Sequence, residues 1–135
     1  MAHGTPDWVR MVQVAVTVEL EPVMPEPAKE KAAGDAGNYA GILQTYQTVA
    51  SWTVATGKVG ELKEILIISD NYAKTLAQIT IAGTVWETEW NPTSAMPIIF
   101  EDLKLATGTV VLVEARSSDG TAIDVDALIV GKEIG

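Results

Sequence analysis

TVVLVEAR at residues 109–116 and AIDVDALIV at residues 122–130, joined by Ser117-Ser118-Asp119-Gly120, decide the fold class. Both runs are rich in β-branched and other apolar side chains. The four residues between them are turn formers, and Gly120 tolerates the positive φ that a tight turn asks for. This is a strand, a turn and a strand. Upstream, strand-like runs recur at residues 46–55 (YQTVASWTVA), 61–69 (ELKEILIIS), 74–82 (KTLAQITIA), 84–90 (TVWETEW) and 97–101 (PIIFE). Thr56-Gly57, Asp70-Asn71, Gly83 and Asn91-Pro92-Thr93-Ser94 separate them, and residues 104–108 (KLATG) read as a loop before the final pair. Strands that repeat after roughly a dozen residues, with a turn signal in each gap, belong to an antiparallel sandwich or barrel.

The alternation also names a core. Ile65, Ile67, Ile79, Ile81, Val111, Val113, Ile123 and Val125 are expected to point inward. The run Ile65-Leu66-Ile67-Ile68 is apolar at every position, as in a strand covered on both faces. The fold expected is all-β: an antiparallel β-sandwich, jelly-roll-like, with an extended N-terminal arm.

The arm comes from the first 38 residues. Residues 11–20 (MVQVAVTVEL) place Val12, Val14, Val16, Val18 and Leu20 on one face and Met11, Gln13, Ala15, Thr17 and Glu19 on the other, the pattern of a half-buried strand. Residues 21–38 then bring Pro22, Pro25 and Pro27, mixed charges, small residues and two glycines, which reads as an extended linker. A helix over residues 28–33 would be too short to stand alone. The expected organisation is therefore an N-terminal strand and proline-rich arm over 1–38 and a β-sandwich domain over 39–135.

Composition excludes several function classes. At 135 residues and 47% hydrophobic content the chain can bury one substantial core. With no cysteine it has no disulfide, no thiol nucleophile and no cysteine-based zinc site. A net charge of −9 opposes binding to nucleic acid or to anionic membrane surfaces. No apolar run is long enough for a membrane-spanning helix, and no signal peptide is evident at the N-terminus.

Candidate chemistry is sparse. Asp124 and Asp126 share a strand face and Asp119 lies in the turn before them; oxygen clusters can hold Ca²⁺, but calcium-loop spacing is missing and a solvated face is the simpler reading. Glu87 and Glu89 stand two apart on one strand, so they do not flank a substrate as a glycosidase pair must. His3 is alone, and no serine lies in a nucleophile motif. Gly120 and Gly131 read as turn and bulge positions. No catalytic residue, metal ligand or cofactor is expected. Trp86 and Trp90 fall on one face of their strand and are the candidate contacts to a sugar or a protein partner, although core packing is the commoner use of tryptophan.

The opening His3-Gly4-Thr5-Pro6-Asp7-Trp8 resembles the start of small tailed-phage virion proteins. Residues 49–70, 97–121 and 127–135 (ALIVGKEIG) resemble the β-sandwich of phage capsid decoration, or cement, proteins. The resemblance implies a structural virion component on the capsid surface. It would be a homo-oligomer such as a trimer, with the major capsid protein as partner. Met11, Val12, Val14, Val16, Val18, Leu20, Pro22, Pro25 and Pro27 would form a capsid-contacting arm, by strand addition and multivalent contact. The alternative is a carbohydrate- or host-surface-binding module on a fibre or tail, using Trp86 and Trp90.

Overall fold

The computed structural model describes residues 30–95 and 97–135. These form eight strands: β1 (Glu30–Gly41), β2 (Gln47–Thr53), β3 (Val59–Ser69), β4 (Thr75–Ile81), β5 (Thr84–Trp90), β6 (Ile98–Leu105), β7 (Val110–Ser117) and β8 (Ile123–Ile134). One 3₁₀ turn, Tyr72–Lys74, precedes β4. Sheet A has the order β1-β8-β3-β6 and sheet B the order β2-β7-β4-β5. All pairings are antiparallel. Two four-stranded sheets in this order are a jelly roll, the double-sheet arrangement that the strand rhythm points to.

The core lies between the sheets, built chiefly from alternate residues of β3, β4, β7 and β8. All eight side chains expected inward are buried, among them Ile65, Val111, Val113 and Val125 with no accessible surface. Trp52 joins them from β2. The turn at one end is pinned by Ser117, whose Oγ donates to the Thr121 carbonyl at 2.7 Å and accepts from the Gly120 N–H at 3.0 Å. Gly120 has φ +88°, which a side chain would oppose.

Residues 30–38, expected as linker, instead form most of β1. The strand pairs with β8 in unbroken register from Glu30↔Ile134 to Gly41↔Ile123. The expected boundary between 38 and 39 therefore falls inside a core-sheet strand, and residues 30–33 are not helical. The reason is compositional. Ala32, Ala33, Gly34, Ala36, Gly37 and Ala40 carry no apolar alternation, so the strand is silent to a periodicity reading. What makes it a strand is the free backbone edge of β8. Its small residues also let it cross tightly over sheet B, since a Cβ on Gly37 would run into the Val49 carbonyl of β2. Across this seam the carboxylate of Asp35 accepts from the Ser51 N–H at 3.0 Å. β6 also runs beyond its expected end at 101. Lys104 and Leu105 belong to the strand, because Leu105 is buried in the core. The valine-rich run 11–20 and the three arm prolines lie outside the described residues.

Gly131 needs a different account from the one its sequence suggests. The bulge is in β3, where Lys63 is the extra residue between Leu62↔Gly131 and Glu64↔Val130. Gly131 itself makes room for the Trp52 indole.

Candidate functional site

β1 and β2 close one side of the sandwich. On the other side β5 and β6 are the edge strands of their sheets, each paired on one side only. Both are irregular. Along β5, Thr80↔Val85, Ile79↔Glu87 and Ala77↔Trp90 are partners, so β5 carries an extra residue in each interval. Glu89 sits at φ +52° in the second bulge. β6 has Asp102 at φ +51° and a register break opposite Leu62 and Glu64. Bulges of this kind twist an edge strand and re-aim its side chains.

The consequence is seen in the tryptophans. Trp90 is half-buried against the core, whereas Trp86 is 55% exposed. The Trp86 ring meets Phe100 of β6 edge to face, with centroids 6.4 Å apart and an interplanar angle of 76°. Val85 beside it and Ile99 on β6 are also exposed, the latter at 64%. Val85, opposite Thr80, faces the outside of sheet B, and Ile99, opposite Glu64, the outside of sheet A; Trp86 and Phe100 meet between the two edges. Trp90 lines a separate groove with Asn91, Thr93, Ser94, Pro97 and Ile98. Asn91 fixes the chain there, its Nδ2 donating to the carbonyls of Tyr72 at 3.1 Å and Thr75 at 3.2 Å.

The outer face of sheet B is polar and internally bonded. Arg116 lies over the Tyr46 ring, 5.5 Å from its centroid, and donates to Glu89 Oε2 at 2.5 Å. The Glu89 N–H donates to the Tyr46 hydroxyl at 2.8 Å. The Glu89 hydrogen bond holds the Arg116 pKa above its ordinary value. Next to this cluster Thr88 donates to Gln78, and Gln78 donates to Glu114. Glu89 is thus paired with Arg116. No sequence signal linked Tyr46, Glu89 and Arg116, which come from three separate segments.

The outer face of sheet A is aliphatic in the middle and acidic at one end. Leu66, Ile68 and Leu128 line a groove of about 580 Å³, with Ala36, Asn38 and Asp126 at its margin. Asn38 Nδ2 donates to Asp124 Oδ1 at 2.5 Å and to Asp126 Oδ1 at 2.8 Å. Asp119 is elsewhere, bound by Lys74 Nζ at 2.7 Å and by the Thr121 N–H at 3.0 Å. Those bonds, that of Lys74 foremost, hold its carboxyl far below the ordinary carboxylate range. The three aspartates singled out in the sequence are therefore not brought together. Among the described residues no group of three or more His, Cys, Asp or Glu side chains is placed to hold a metal ion.

No family model and no curated protein matches the chain. Among solved structures it is similar to the CBM36-1 domain of a multidomain xylanase from the hindgut metagenome of Trinervitermes trinervoides. The identity is 19%, over 78% of this chain and 96% of that one, with a TM-score of 0.38.

Proposed function

We propose that the chain is a structural virion protein that decorates the phage head, binding the major capsid protein at subunit junctions and stabilising the shell. The observation that carries this reading is the exposed Trp86 ring at the β5–β6 edge of an acidic protein. Tryptophan is a frequent anchor of protein contacts. Trp86 keeps 55% of its surface exposed, so covering it removes on the order of 100 Å² from water, worth about 2–3 kcal/mol at about 25 cal/mol per Å². Repeated over many copies on a lattice, contacts of that size resist outward pressure on the shell. The net charge of −9 keeps a surface protein displayed in many copies soluble. In this reading the protein is a homo-oligomer located on the capsid surface, and it needs no cofactor.

The test is co-sedimentation of the full chain with empty head shells, with its native mass measured alongside. Saturable binding at a fixed ratio to the capsid protein supports the reading; no binding to shells of any expansion state contradicts it. The exposure of Trp86 favours one second reading, a host-surface glycan module with this ring as the stacking platform. Trp90, half-buried, is a poor second platform. Binding to a glycan panel without binding to shells would select that reading.

A further inference from the structure

Asp119 is the one aspartate of the chain that is followed by glycine. It stands in the connection that carries the chain from β7 of sheet B to β8 of sheet A. An aspartate before a glycine is prone to isomerise, because glycine has no Cβ to hinder its amide nitrogen as it approaches the neighbouring carboxyl. The Gly120 nitrogen attacks Cγ of Asp119 and gives up its proton, and one carboxyl oxygen leaves as water. Water then reopens the five-membered succinimide at either carbonyl. One opening restores aspartate. The other leaves isoaspartate, of unchanged composition but with the chain running through the side-chain carbonyl. The backbone between the two sheets is then longer by one carbon.

In the folded protein both reacting groups are occupied. The Gly120 N–H donates to Ser117 Oγ at 3.0 Å. That hydroxyl is itself fixed, donating to the Thr121 carbonyl at 2.7 Å from a side chain with no accessible surface. The carboxylate is held at both oxygens: Oδ1 accepts from the Thr121 N–H at 3.0 Å and Oδ2 from Lys74 Nζ at 2.7 Å. Lys74 is anchored in turn, its carbonyl accepting from the Ser118 N–H at 2.9 Å. We propose that Asp119–Gly120 is a latent site of isoaspartate formation, kept silent in the fold by Ser117 on the nitrogen and by Lys74 and Thr121 on the carboxylate. Attack requires the Gly120 nitrogen to leave Ser117. It requires Cγ to turn toward that nitrogen, against two hydrogen bonds. It also requires a protonated oxygen to depart as water, and the Lys74 ammonium keeps the carboxyl ionised. The inference does not depend on the decoration reading.

The test is ageing of the full chain at 37 °C and neutral pH, with isoaspartate at residue 119 measured by peptide mapping. The native chain is compared with the same chain held in urea and with Lys74→Met, Ser117→Ala and Lys63→Met. Lys63 bonds Asp102 as Lys74 bonds Asp119, but Leu103 follows Asp102, so Lys63→Met is the control. The native chain is expected to react at least tenfold more slowly than the unfolded one. Lys74→Met and Ser117→Ala are each expected to react about tenfold faster than native, the scale of one hydrogen bond to a charged or buried group. Core amides are expected to keep their hydrogen-exchange protection in Lys74→Met, and Lys63→Met is expected to react at the native rate. Lys74 is partly exposed, so its variant decides the matter even where Ser117→Ala loses the fold. A native chain that reacts as fast as the unfolded one overturns the inference, and so does a folded Lys74→Met at the native rate. Acceleration only alongside lost core protection also overturns it, because global unfolding would then be the cause.

Discussion

The Trp52 indole fills the space over Gly131: a Cβ built on that glycine would come within 2.8 Å of the ring and 2.5 Å of the Glu61 carbonyl. Trp52 stands on β2 of sheet B, and its tip also approaches Gly60 of β3, at 3.3 Å from a Cβ built there. The ring thus spans the core and rests on two glycines of the opposite sheet. Gly131→Ala is expected to cost about 1–3 kcal/mol by overpacking, since neither a buried indole nor a paired backbone yields cheaply. A urea melt measures it. An unchanged midpoint would show that the ring moves aside freely.

Val113 has no accessible surface and lies at the centre of sheet B, paired with Ala50 and Ile79. Val113→Ala is expected to destabilise by about 1–3 kcal/mol through lost packing and the void left behind. Its neighbour Leu112 faces outward, and Leu112→Ala is expected to cost less. Reversal of that order in denaturant melts would mean that β7 is out of register, because a slip of one residue exchanges its two faces.

Removal of residues 1–38 deletes most of β1, including the Asp35–Ser51 contact and the close crossing of Gly37 on β2. It leaves β8 with a bare edge. That truncation is expected to unfold the domain or to lower its melting temperature by more than 10 °C, on the scale of about 4–8 °C per kcal/mol for small domains. Removal of residues 1–29 leaves all eight strands in place and is expected to cost much less. Thermal melts of the two truncations, side by side with the full chain, decide it; equal stability of the two would contradict the role given to β1.

Much of the fold was legible because its strongest signals coincide with its buried strands. β3, β4, β7 and β8 carry the period-two rows that build the core, and the eight expected inward residues are inward. β1 was not legible, since alanine and glycine announce nothing by hydrophobicity; its strand character comes from β8 beside it and from the closeness of β2. The tryptophan pair was legible only in part. Simple alternation equates Trp86 with Trp90, but two bulges and a positive φ at Glu89 re-aim β5, leaving one ring outside and the other against the core. Bulges answer to the tertiary position of an edge strand, and nothing in TVWETEW marks them. The Tyr46, Arg116 and Glu89 cluster was equally hidden, being assembled from three separate segments of the chain.

Asp119 and Asp102 are held below the ordinary carboxylate value of 3.8, each chiefly by a lysine hydrogen bond, from Lys74 and Lys63 respectively. Their folded-state pKa lies below the unfolded value, so the unfolded chain takes up protons first as acid is added. The stability they contribute is present above pH 3.8 and is lost as pH falls from there toward their folded values. Both are solvent-exposed, so the effect is small and weakens with salt. The stability difference between the native chain and Asp119→Asn, measured by urea melts, is expected to be constant from pH 7 to about 4.5 and to shrink below pH 4. A difference that grows on acidification would contradict the assignment.

The proposed contact with the head shell centres on Trp86, exposed at the β5–β6 edge. Trp86→Ala removes an exposed ring, so its melting temperature is expected to stay close to that of the native chain. Loss of an anchor of this kind typically costs at least about 2 kcal/mol of binding, or roughly thirtyfold in affinity. Titration of both proteins onto empty head shells, read by co-sedimentation, is the direct measurement. A native-like melt with affinity reduced at least tenfold is the result expected; equal affinity of Trp86→Ala and the native chain would contradict the claim.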